Sequence, residues 1–140
     1  MEITINYLAV LVAAVLGIII GALWYGPLFG KQWMAMMGFT KESMKAMALS
    51  PIMAMVGGAI VSLLMAYVLS HVIQLSGNYF GSADLMRGVT TAFWLWLGFA
   101  VPITGGGYLW EGKPMRLWIL NAGYYLVSLI IMGAVLSVWI

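Results

Sequence analysis

The sequence predicts an all-α membrane protein, with four transmembrane helices in one bundle and short interfacial helices between the first and the second. Of its 140 residues, 64% are hydrophobic and 7% are charged, against roughly 25% charged in soluble domains. Its few charges leave four uncharged runs, 3–30, 46–83, 88–110 and 117–140, each able to supply the roughly 20 apolar residues of a membrane-spanning helix. The runs are long, and apolar and polar residues do not alternate within them, which favours helices over strands. We therefore expect one transmembrane domain over 1–140.

The first span is predicted over 4–25. It should end at Gly26 and Pro27, because proline lacks a backbone donor and disfavours a helical conformation in the residue before it.

The segment 28–49 between the first two spans is predicted to lie in the membrane interface. Phe29, Trp33, Met36 and Met37 recur at helical spacing, which is typical of an amphipathic helix. Gly38 can end this helix, and a second short helix can follow it. The simplest interpretation is an amphipathic connector, and the alternative is a regulatory or docking element.

The second span is predicted over 51–74, with Ser50 as the N-cap and Pro51 at the first helical position. The third is predicted over 84–104, where Pro102 should bend or end it. The fourth is predicted over 115–139.

The orientation follows from the basic residues near the helix ends. Five Lys and Arg residues are predicted on one side of the membrane and only Arg87 on the other. This difference predicts that the first and third connections are cytoplasmic. Both termini would then lie outside the cytoplasm. The five basic residues are Lys31, Lys41, Lys45, Lys113 and Arg116.

Small residues recur at intervals of four in the first two spans. Gly17 and Gly21 form a GxxxG element, and Gly58 and Ser62 belong to a similar stripe in the second span. Small residues allow close approach of helices, which in lipid associate largely through van der Waals packing. The stripes predict contact between the first two spans, and the alternative is a contact between subunits.

A polar and aromatic stripe on the fourth span is the strongest candidate for a ligand or lipid pocket. Trp118, Asn121, Tyr125 and Ser128 share one helical face. The antiparallel arrangement places Asn121 level with the end of the first span, at the cytoplasmic side. The simpler alternative is that Asn121 only cross-links helices by hydrogen bonding. The candidate pocket residues are Trp24, Tyr25, Thr104, Tyr108, Asn121, Tyr124 and Tyr125.

A second group of polar residues is predicted at the outer end of the bundle. The single histidine, His71, shares a helical face with Gln74, and Asn6 and Tyr7 should lie at a similar depth. A hydrogen-bonded cluster is the simpler interpretation, and a ligand or proton-sensing site the alternative. One imidazole with no cysteine cannot by itself form a zinc site, so no metal and no cofactor is expected.

Several segments carry a resemblance to a known family: 6–10, 21–31, Trp33, 110–114 and 121–124. Through them the chain resembles a family of small bacterial integral membrane proteins known only as a domain of unknown function. The resemblance implies four helices and a bacterial inner membrane, and it implies no activity. In that family a histidine often follows the tyrosine that matches Tyr124, whereas this chain has Tyr125, so no role of that histidine transfers here.

These observations favour a non-enzymatic membrane protein, packed into a small homo-oligomer or a lipid-binding scaffold. No charged residue lies in the middle of a span, which argues against coupled transport. His71 is the one candidate general base, and a catalytic nucleophile needs a base within reach. The alternative function is an uncoupled channel or transporter for a small or apolar solute. The expected partners are membrane lipids and further copies of the chain, without nucleic acid.

Overall fold

Four long apolar helices confirm the predicted all-α membrane fold. The structure is a computed structural model that describes residues 2–139, and this part of the chain contains no β-strand. The protein is therefore a multi-pass membrane protein. The spans are Tyr7–Leu28, Pro51–Phe80, Leu85–Trp110 and Met115–Val138. The helices are α1 (Tyr7–Leu23), α2 (Gly30–Met37), α3 (Lys41–Lys45), α4 (Pro51–Phe80), α5 (Leu85–Leu95), α6 (Val101–Thr104), α7 (Gly106–Trp110) and α8 (Met115–Val138).

Three spans extend past the ends predicted from the sequence. The first does not end at Gly26 and Pro27 but continues to Leu28, because a π-helical turn over Trp24–Leu28 accommodates Pro27. α4 continues past residue 74 to Phe80 and ends where Gly81 adopts a left-handed conformation, φ 82°. This ending is typical of helices, because glycine reaches positive φ without a steric penalty. The third span continues past Pro102 to Trp110, since a proline near the start of a helical turn removes a donor that such a turn does not need.

The first and third spans each contain a π-helical turn next to a proline. In the first span the turn covers Trp24–Leu28, and Phe29 N donates to Trp24 O at 2.9 Å. In the third it covers Trp96–Ala100 and precedes Pro102. Such turns insert a residue into the helical ladder and change the direction of nearby side chains. The first turn contains Tyr25 of the candidate pocket, and the second lies in the middle of the third span, one helical turn before Thr104.

Two short helices connect the first two spans, as predicted. α2 ends at Gly38, φ 74°, and α3 begins after Thr40, whose hydroxyl accepts a hydrogen bond from Ser43 N. Lys113 Nζ donates to Met37 O at 3.2 Å. This bond joins the C-terminal end of α2 to the connection before α8, and a cation there is favoured by the helix dipole.

α8 forms the centre of the bundle and packs against α1, α4 and α5. Its tightest contact is with α5, where a Cβ on Gly133 would lie 2.6 Å from Gly88 O and 2.9 Å from Ala92 Cβ. Glycine at both positions thus permits backbone contact between these helices. Buried core residues include Ala13, Ala66, Leu69, Ile73, Met132 and Leu136.

The predicted small-residue stripes have divided roles. A Cβ on Gly17 would lie 2.6 Å from Ser62 Oγ, and Ser62 donates to Ala14 O at 2.7 Å. These two residues therefore pack α1 against α4 within one chain. Gly21 faces the Tyr124 ring of α8, and a Cβ on Gly58 would meet nothing within 4 Å.

Candidate functional site

A hydrogen bond between Tyr25 and Asn121 lies at the centre of the candidate pocket. Tyr25 Oη donates to Asn121 Oδ1 at 2.7 Å, and the pair is partly buried. The π-helical turn holds Tyr25, and the first half of α8 holds Asn121. The bond uses the amide oxygen, so the two N–H donors of Nδ2 remain, and among residues 2–139 they have no protein acceptor.

Two tryptophans fix the backbone on either side of Asn121. Trp24 Nε1 donates to Leu120 O at 3.1 Å from the first span, and Trp96 Nε1 donates to Ala122 O at 2.7 Å from the third. A backbone carbonyl has two lone pairs, so each can accept an indole N–H besides its helical bond. The two bonds hold this turn of α8 between the neighbouring spans and orient Asn121 into the space between them.

A cavity of about 390 Å³ opens at this amide. Its lining residues come from three spans and from α2. Trp33 of α2 packs edge-on against Tyr25, with ring centroids 5.8 Å apart. Thr104 donates its hydroxyl hydrogen to Ala100 O at 2.7 Å, which leaves the oxygen as an acceptor. The lining residues are Tyr25, Trp33, Thr104, Asn121 and Tyr125.

Four of the seven predicted pocket residues line this cavity, and three have other roles. Tyr124 turns toward α1, where its hydroxyl donates to Gly17 O at 3.3 Å. Tyr108 stacks on Trp118 at 5.9 Å, and Trp24 covers Gly123, where a Cβ would lie 3.1 Å from the indole. Tyr124 and Tyr125 diverge because successive helical residues point about 100° apart. Trp33 was not predicted as a lining residue, because the sequence indicated only that it lies on the apolar face of an interfacial helix.

Two further cavities adjoin this one and share Thr104 with it. One, of about 480 Å³, extends between α4 and the third span and is lined almost entirely by apolar side chains such as Leu64, Val68 and Phe99. The other, of about 410 Å³, lies nearer the loop before α8 and is lined partly by Glu111 and Lys113. The three cavities therefore form a series from apolar to charged surroundings.

The predicted outer cluster is not joined by hydrogen bonds. Asn6 accepts from Ala9 N and donates to Trp139 O at 3.1 Å, while His71 Nδ1 pairs with Tyr67 O of its own helix at 2.9 Å. Tyr7 stacks against Tyr67 at 6.5 Å. Within residues 2–139 no hydrogen bond connects Asn6, Tyr7, His71 and Gln74. Asn6 and His71 each pair with the backbone, so these four residues do not form the predicted hydrogen-bonded cluster.

The fold and the site together define a four-helix membrane protein with a polar and aromatic site at one end of the bundle. The family model of a protein of unknown function (DUF1761) matches residues 8–137. The chain belongs to this family, which covers nearly all of it. No curated protein and no solved structure matches the chain.

Proposed function

We propose that this protein binds a membrane lipid in the cavity at Asn121 and carries out no catalysis. One observation carries the proposal: the Asn121 amide has two N–H donors without a protein acceptor at a cavity between membrane-spanning helices. An unpaired polar group within a membrane protein costs free energy. A phosphate or ester oxygen of a lipid would satisfy these donors, because both are strong acceptors.

The rigid surroundings of the amide support binding rather than a purely structural role. If Asn121 served only to cross-link helices, the Tyr25 bond would suffice, yet two indoles also fix its neighbouring carbonyls. Such preorganisation lowers the entropic cost of binding. The adjoining apolar cavity offers room for an acyl chain beside the amide.

We also propose a bacterial cytoplasmic membrane as the location, with the termini outside and the pocket at the inner leaflet. The supporting observation is that five of the six Lys and Arg residues lie in the first and third connections or, for Arg116, in the adjoining first turn of α8. A small homo-oligomer is proposed as well, because the surface at Gly58 is apolar and open.

The test is native mass spectrometry of the detergent-purified protein, comparing wild type with Asn121→Leu. We expect wild type to retain one lipid per chain and the variant to lose it, since leucine removes the hydrogen-bonding group at similar size. Asn78→Leu is the matched control, because Asn78 lies near the C-terminal end of α4, at the other end of the bundle from Asn121. Equal lipid retention in wild type and Asn121→Leu would contradict the proposal.

The alternative of an uncoupled channel or transporter predicts a different result. Purified protein in liposomes would then give saturable solute flux. The core favours a bundle without a water-filled path, because it consists mainly of alanine, leucine, isoleucine and methionine side chains. We expect no flux above that of empty liposomes.

A further inference from the structure

The charges beside the Asn121 cavity indicate which lipid headgroup it holds, an inference that depends on the proposed function. In a bilayer, burial of an acyl chain gives little selectivity, because the surrounding lipid is equally apolar. The apolar cavity at Leu64 and Val68 therefore admits the chains of many lipids. Selection must come from the polar end of the series of cavities, where Glu111 and Lys113 line one cavity with Asn121.

Glu111 and Lys113 converge on the same glycine without neutralising each other. A Cβ on Gly107 would lie 3.5 Å from Glu111 Oε2 and 3.7 Å from Lys113 Cβ, so both side chains extend over this glycine. The Lys113 ammonium donates to Met37 O instead of to the carboxylate. An ammonium group has three donors, so two remain for a ligand. A carboxylate and an ammonium group therefore belong to residues that line the same cavity.

We propose that the site selects a glycerophospholipid whose headgroup carries a primary ammonium beyond the phosphate. Lys113 and the Asn121 amide would bind the phosphate, and Glu111 would accept hydrogen bonds from the ammonium. Charge-assisted hydrogen bonds of both kinds are the stronger ones in proteins. An anionic headgroup without an ammonium would place its charge near Glu111, which is unfavourable. A quaternary ammonium has no N–H to donate to the carboxylate.

The experiment offers detergent-purified protein an equimolar mixture of phosphoethanolamine, phosphocholine and phosphoglycerol lipids with identical acyl chains. Native mass spectrometry then counts each bound species. We expect the phosphoethanolamine lipid to be retained about tenfold over the phosphoglycerol lipid, as a hydrogen bond to a charged group would produce. Glu111→Gln should abolish this ratio, and Lys113→Gln should weaken retention of all three while preserving their order. Glu42→Gln, on the exposed helix α3, is the control and should change nothing.

The outcomes separate this inference from the proposed function. If Asn121→Leu removes bound lipid but the wild type retains the three headgroups equally, the headgroup assignment is overturned and lipid binding stands. A ratio that Glu111→Gln leaves unchanged also overturns the assignment. If Asn121→Leu and Glu111→Gln both leave lipid retention unchanged, both proposals fail.

Discussion

A single added methyl group at Gly17 should destabilise the protein, because this glycine packs directly against Ser62 of α4. A Cβ there would lie 2.6 Å from Ser62 Oγ and would also overlap the end of Met132. Met132 can move, since its side chain is flexible. Ser62 is held by its bond to Ala14 O at 2.7 Å, so Gly17→Ala must break this bond or separate the helices.

The expected cost follows from these contacts. Overpacking a close contact costs about 1 to 3 kcal/mol, and an interhelical hydrogen bond in a membrane protein contributes about 0.6 to 2 kcal/mol. We therefore expect Gly17→Ala to lower the free energy of unfolding by about 1 to 3 kcal/mol, with part of the loss coming from Ser62. In Ser62→Ala the hydroxyl is absent, so adding Gly17→Ala should cost less than it does in wild type.

The assay is reversible unfolding by sodium dodecyl sulfate in mixed micelles, followed by far-ultraviolet circular dichroism. Gly57→Ala is the matched control, because a Cβ at this exposed position would meet nothing within 4 Å. We expect this control to be neutral or stabilising by up to about 1 kcal/mol, since alanine favours a helix over glycine. Equal stability of the two variants would refute the placement of Gly17 between α1 and α4. A change of assembly state without a change of stability would instead indicate a contact between subunits.

Three further predictions concern the site, the orientation and the assembly. Trp96→Phe removes the donor to Ala122 O and should lower both lipid retention and the free energy of unfolding, the latter by about 1 kcal/mol in the same micelle assay. The control is Trp94→Phe at an exposed neighbouring position, which should leave lipid retention and stability unchanged. A cysteine at Ser43 should react with a membrane-impermeant maleimide only from the cytoplasmic side, and one at Ser82 only from the outside; the reverse pattern would invert the topology. Gly58→Leu should reduce the subunit number in native mass spectrometry without unfolding the chain, and an unchanged number would contradict an interface at this face.

The four spans could be predicted from the sequence because the residues that determine them act locally. Charged residues delimit the apolar runs, and Ser50, Thr40 and Gly38 act within one turn of the helix end that they define. The extended end of α4 was missed because Gly77 and Asn78, residue types that commonly end helices, lie inside α4, and Gly81 ends it instead.

The close contact between α5 and α8 was not predicted, for a different reason. Gly88 with Ala92, and Gly133 with Ser137, are pairs of small residues four apart on α5 and α8. These pairs are as clear as those of the first two spans, but a pattern of small residues does not name its partner helix. Gly58 shows the same limit, since it belongs to a small-residue stripe and yet contacts no neighbour.

The centre of the pocket was predictable, and its boundary was not. Antiparallel packing of the first and fourth spans places Tyr25 level with Asn121. Which of two adjacent tyrosines lines the cavity depends on the rotation of α8, and the indole bonds from Trp24 and Trp96 fix this rotation. Those bonds depend on π-helical turns, which redirect side chains by an amount that residue spacing does not predict.

The most direct test of lipid binding at Asn121 is photocrosslinking with a phospholipid that carries a diazirine in its acyl chain. After detergent exchange has removed bulk lipid, the crosslinked residues are mapped by peptide mass spectrometry. We predict labelling at Leu64, Val68 and Phe99 of the apolar cavity, and we expect Asn121→Leu to abolish it. Little labelling is expected at Ile119, which is 66% exposed on the same helix as Asn121. Labelling spread evenly over exposed apolar residues, and unchanged in Asn121→Leu, would contradict lipid binding at Asn121.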